Sequence, residues 1–120
     1  MILAFKPIFV DKINKGIKIH TFREDSKDRW HPSREIQMAT GVRTKNYNQF
    51  NEGICGGTQR IIIYATLVGC PTVVVDNRTL DPTETLQLIK NDGFDSLEDF
   101  NEWFNEDFDG KIIHWTHFKY

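Results

Sequence analysis

A chain of 120 residues with 39% apolar and 27% charged residues and a net charge of −2 is long enough for one domain with its own core. Its apolar and charged fractions are ordinary for a soluble globular chain. No apolar run approaches a membrane span, and ILAF at positions 2–5 reads as a strand rather than a signal peptide, so a cytoplasmic protein is expected. The expectation for the domain is one unit over residues 1–120.

Charge is divided unevenly. Residues 1–60 hold eleven Lys/Arg against six Asp/Glu, and residues 61–120 hold four against eleven. A polyanion site would draw on the first half; alternatively, a basic loop and an acidic helix simply occupy different surfaces. Cys55 and Cys70, without a secretory signal, are expected to be free thiols.

In chain order, Ile2 to Phe5 reads as a first strand. Pro7 suits the first turn of a helix whose apolar stripe is Ile8, Phe9, Val10 and Ile13, with Gly16 as its stop. GIKIHTFRED, residues 16–25, then reads as a second strand, placing Thr21 and Arg23 on one face and Lys18 and His20 on the other. DSKDRWHPS is turn-rich, and Ile36 to Thr40 is a short strand.

Residues 41–59 carry four glycines and three asparagines but no period, which predicts a long irregular loop. Arg60 to Val68 and Thr72 to Asp76 are β-branched runs around a GCP turn. Asp81-Pro82-Thr83-Glu84 opens a helix to about Lys90, and Ser96 caps a second one carrying Leu97, Phe100 and Phe104. Residues 111–120, KIIHWTHFKY, read as a long last strand. Strands outnumber helices, and an α+β barrel accommodates them economically.

Chemistry-bearing residues are few. His114 and His117 fall on opposite faces of a strand, and His20 and His31 lack partners at zinc-ligand spacing, so no metal or other cofactor is expected. Phosphate-loop and nucleophile-elbow motifs are missing. In the 41–59 segment, Arg43, Lys45, Tyr47 and Phe50 interleave cations with rings, as suits stacking on a base while neutralising phosphate; the same rings could instead pack the loop onto the core. Lys18 and Thr21 could form a base–nucleophile pair. Regular strand geometry separates them, and they converge only if Lys18 lies in the turn after Gly16 or a bulge resets the alternation.

Gly16, Lys18, Thr21 and Arg23 form a G-x-K-x-x-T-x-R pattern, followed far downstream by Asp92-Gly93-Phe94, the Ser96–Phe100 helix start and Trp103. This order resembles the ASCH family of the PUA-like superfamily. The resemblance implies a PUA-like small β-barrel, mostly antiparallel, with three flanking helices and a cleft for RNA or nucleosides.

Some small relatives remove the acetyl group from N4-acetylcytidine with a Lys, a Thr and a Glu, which correspond here to Lys18, Thr21 and Asp92. The Asp is one methylene shorter, enough to displace a proton-shuttling group. On this reading Thr21 attacks the acyl carbonyl, Lys18 takes its proton and Asp92 donates a proton to the departing amine. Arg23 orients Asp92 or the base, with His20 at the flank and Arg43, Lys45 and Tyr47 on the substrate. Other relatives are RNA-binding modules or nucleases. The same cleft as a non-enzymatic RNA-binding site, or as a metal-independent ribonuclease, are therefore the alternatives.

Overall fold

The computed structural model describes all 120 residues. Eight strands and three helices form a compact α+β fold. Strand β1 (Ile2–Ala4) runs parallel to β3 (Glu35–Thr40), and β3 pairs antiparallel with β4 (Asn48–Ile54). The second sheet is antiparallel throughout, in the order β2 (His20–Arg23), β8 (Phe108–His114), β5 (Gly57–Tyr64), β6 (Thr72–Val75), β7 (Arg78–Thr79). The chain passes between sheets at Cys55–Gly56, where Cys55 N–H donates to Arg34 O at 2.8 Å and Gly56 N–H to His114 O at 2.8 Å. The ladders form two sheets, not one continuous ring.

Ile61, Ile63, Val73, Val75, Ile112 and Ile113 are fully or almost fully buried between the sheets and the helices. A 3-10 turn (Pro7–Phe9) leads into α1 (Val10–Asn14), which buries Phe9 and Ile13. Ile8, expected on the apolar stripe, is 66% exposed. The first turn is 3-10 rather than α, so its side chains fall off the 3.6-residue stripe.

Helix α2 (Pro82–Asn91) starts with the expected capping box: Glu84 N–H donates to Asp81 Oδ1 at 2.8 Å while the Glu84 carboxylate accepts from Asp81 N–H. Such a cap stabilises by about 1 kcal/mol. The helix α3 (Leu97–Trp103) is capped by Ser96.

Four expectations are corrected. Residues 41–59 are not one irregular loop, because Asn48–Ile54 pairs with β3 and Gly57 already belongs to β5. β4 is an edge strand, mostly exposed, held by backbone bonds that need no apolar alternation. Only Gly41–Tyr47 is a turn, tied by Thr44 Oγ1 donating to Gly41 O at 2.7 Å.

The second strand is restricted to His20–Arg23, and His20, Thr21 and Phe22 are all buried, because both of its faces are covered. The last strand begins earlier, at Phe108, and stops at His114. Residues 115–120 turn back, and Tyr120 packs against His20 and His114. Likewise β5 ends at Tyr64, leaving Leu67 and Val68 exposed in the turn before β6.

Candidate functional site

The end of α2 builds one wall. Asp92 caps the helix and Gly93 follows at φ 93°. Gly93 N–H donates to Lys90 O at 2.9 Å and Phe94 N–H to Ile89 O at 3.2 Å, a Schellman closure that needs a left-handed residue. A Cβ on Gly93 would also lie 3.1 Å from Lys18 Cδ and 3.2 Å from Phe9 Cδ1.

The remaining carbonyls at this helix end draw in the segment after α1. Ile19 N–H donates to Asn91 O at 2.9 Å, Lys18 Nζ to Asp92 O at 2.6 Å, and Lys12 Nζ to Gly93 O. Cations are favoured there by the helix dipole as well.

Lys18 precedes β2. Its N–H donates to Lys12 O at 3.1 Å, so it still belongs to the turn after Gly16. Of the two routes by which Lys18 and Thr21 could converge, the turn is the one used. Lys18, Thr21, Arg23 and Asp92 line one cavity of about 300 Å³, walled by Phe5, Phe9, Phe22, Phe94, Trp103 and Phe104.

No hydrogen bond joins Lys18 to Thr21, and the Thr21 hydroxyl has no partner in the chain. Lys18 Nζ lies 3.1 Å from Asp92 Oδ1 and 4.6 Å from the centre of the Phe9 ring. With side chains 2% and 4% exposed, this is a buried ion pair.

His20 lies behind Asp92 rather than in the cavity. Asn91 Nδ2 donates to Tyr120 Oη at 3.0 Å, which directs the Tyr120 hydroxyl proton to His20 Nε2. His20 Nδ1–H is then the donor to Asp92 Oδ1 at 3.1 Å. Both donors fall on Oδ1, leaving Oδ2 without a protein partner.

Burial holds Lys18 below the ordinary lysine range, although Asp92 pulls the other way. The same desolvation lowers His20 against its bond to Asp92, and keeps the imidazole neutral. It lowers Arg23 too, and raises Tyr120. A lysine whose burial makes its proton easier to give up, beside an open hydroxyl and a carboxylate fixed by a neutral imidazole, can exchange a proton.

The Arg43, Lys45 and Tyr47 turn does not enter this cavity. Arg43 and Tyr47 line a neighbouring surface pocket with Ile2, Ala4 and Val42, and Ala4 is common to both. Lys45 lines neither pocket. No group of His, Cys, Asp or Glu side chains is arranged to hold a metal ion.

Sequence reasoning missed Asn91, Tyr120 and the Gln59–His114 pair behind them, where His114 Nε2 meets Gln59 Oε1 at 3.0 Å. No short-range pattern links them. The one local signal was Asp92-Gly93-Phe94, whose neighbour Asn91 belongs to the same helix end.

Models of known protein families, curated proteins and solved structures give no match to this chain. The fold and site define an α+β protein with a basic, aromatic-walled cavity beside a helix C-terminus.

Proposed function

We propose that the protein is an ASCH-like, nucleoside- or RNA-directed protein with a PUA-like arrangement of its strands, and that its cavity removes an acyl group from a modified cytidine. The observation that carries this reading is the lining of a single cavity by Lys18, Thr21, Arg23 and Asp92. A volume of about 300 Å³ is at the small end of ligand sites and suits a base with a short acyl group. The aromatic walls favour stacking.

In the proposed reaction Thr21 Oγ1 attacks the acyl carbonyl as Lys18 takes its proton. The C–N bond breaks, and the amine leaves with a proton donated by Asp92, to whose carboxylate Lys18 has passed it. Water then hydrolyses the threonine ester, giving the free acid and restoring the hydroxyl. Arg23 orients the base. The shorter Asp is compensated because the helix end brings its backbone to Lys18, which bonds both its carbonyl and its carboxylate.

A second reading is RNA binding without catalysis, supported by the pocket with Arg43 and Tyr47 adjoining the cavity at Ala4. Free thiols at Cys55 and Cys70 fit a cytoplasmic, reducing setting.

Incubation with N4-acetylcytidine should release cytidine and acetate. Lys18→Ala and Thr21→Val should each slow this by about 10²–10⁴-fold, the usual worth of such groups. Turnover unchanged in either variant would remove that residue from the mechanism. An inert native protein that binds oligoribonucleotides in a salt-dependent way would select the second reading.

A further inference from the structure

The cavity has a charge imbalance that the acyl-transfer chemistry does not balance. Lys6, Lys18 and Arg23 line it against the single carboxylate of Asp92. That carboxylate is occupied by Lys18 and His20.

Arg23 takes part in none of the eight ion pairs of the molecule, and neither do Lys6 and Arg43. The Arg23 guanidinium lies 5.2 Å from the centre of the Phe5 ring and donates to the carbonyls of Ala4 and, at 3.4 Å, Phe22. A guanidinium has five N–H donors, so three of them have no partner in the chain. A half-buried guanidinium against aromatic rings is compensated best by an anion presenting several acceptor oxygens.

The surroundings say on which side that anion lies. Past Trp103 and Phe94 an adjoining pocket is lined by Asp95, Asp99 and Glu102 together with Lys6, which lies over the Trp103 ring, and Lys12, already bound to Gly93 O and Asp95. Three carboxylates against one uncommitted cation disfavour an anion there. At another rim Ala4, a small exposed residue, is common to the cavity and the pocket of Arg43 and Tyr47. Arg43 is exposed and sits at φ 64°, a costly conformation for a residue with a side chain.

We infer that the ligand is a phosphorylated nucleoside, with its phosphate seated over Ala4 between Arg23 and Arg43 and its base in the aromatic cavity. The inference rests on the reading of the cavity as a nucleoside site and narrows its substrate to a nucleotide.

The test is binding, followed by the fluorescence of Trp103 in the cavity wall. N4-acetylcytidine, its 5′-monophosphate and its 3′-monophosphate are titrated into the native protein, Arg23→Gln and Arg43→Gln at low and high salt. One of the two phosphorylated forms should bind at least about tenfold more tightly than the nucleoside at low salt, with the advantage shrinking as salt screens it. Arg43→Gln, outside the aromatic cavity, should lose most of that advantage while keeping its affinity for the nucleoside, and Arg23→Gln should lose the advantage together with part of the affinity for the base. Arg43 is exposed, so its variant decides the matter even where Arg23→Gln does not fold.

Equal affinity for all three ligands, or an advantage retained in both variants, overturns the inference. Hydrolysis of the nucleoside without any gain from phosphate would sink this inference and leave the hydrolase reading standing. Phosphate-dependent binding without hydrolysis would do the reverse.

Discussion

Two lysine–aspartate pairs in this molecule have nearly the same length and opposite character. Lys18 Nζ lies 3.1 Å from Asp92 Oδ1 and Lys111 Nζ lies 3.2 Å from Asp25 Oδ2. The Lys18 side chain is 2% exposed and that of Lys111 is 23% exposed. Desolvation wins at Lys18 and lowers its pKa. At Lys111 the bond to Asp28 outweighs the burial that opposes it, Asp25 adds to it, and the pKa rises. The carboxylate of Asp25 is further held by N–H donors from Arg29 at 2.8 Å and Trp30 at 3.0 Å, so this pair ties a loop. Distance alone does not set the direction in which the lysine of such a pair titrates; the water excluded from around it does.

The largest expected effect breaks the buried pair. Lys18→Met keeps the volume but leaves Asp92 with His20 as its only side-chain donor, which should cost about 3–5 kcal/mol of stability, measured by urea unfolding. On the proposed mechanism, hydrolysis by the native protein should rise with pH through a midpoint below the ordinary lysine range. A midpoint at or above pH 10.5, the ordinary lysine value, would make Lys18 resemble Lys111 and end the contrast.

How far the sequence reveals these two pairs differs as well. Asp92-Gly93-Phe94 and the capping box at Asp81 are local patterns, and both are legible because helix ends are built from neighbouring residues. The convergence of Lys18 with Thr21 was legible only as a condition, since alternation applies inside a strand and Lys18 lies just outside β2. The strand β4 was invisible because an exposed edge strand pairs through its backbone and carries no apolar signal. Tyr120 reaches His20 across 100 residues of chain, a contact made by the turn after His114 and by nothing in either segment alone.

The second effect concerns the layer behind the site. His114 is fully buried, its Nδ1 has no partner, and burial pushes its pKa down to about 3, with His20 and Lys119 adding to the shift. The unfolded chain takes up a proton near pH 6.5 and the folded chain does not until about pH 3. Stability therefore rises with pH across that window and falls on acidification. Between pH 7.5 and 5 this single group should remove about 2 kcal/mol. Unfolding midpoints measured across that range should lose this part of their slope in His114→Gln. An unchanged slope in the variant would mean that the imidazole titrates normally.

The smallest expected effect is at Lys111, whose ammonium is partly reached by water although Asp25 is as buried as Asp92. Lys111→Met removes the partner of Asp25 and Asp28, but Asp25 keeps its two backbone donors and Asp28 is 83% exposed to water. The loss should be at most about 1 kcal/mol, the usual range for such pairs, and should shrink further in 0.5 M salt as screening replaces the lost charge. Turnover and ligand affinity should not move, because Lys111 faces the polar pocket of Glu24, Asp25 and Arg60 and not the aromatic cavity. A Lys111→Met variant that lost stability on the scale of Lys18→Met would show that solvent exposure is not what separates the two pairs. Lys18 would then be one more structural cation, without the raised free-amine fraction that the proposed chemistry needs.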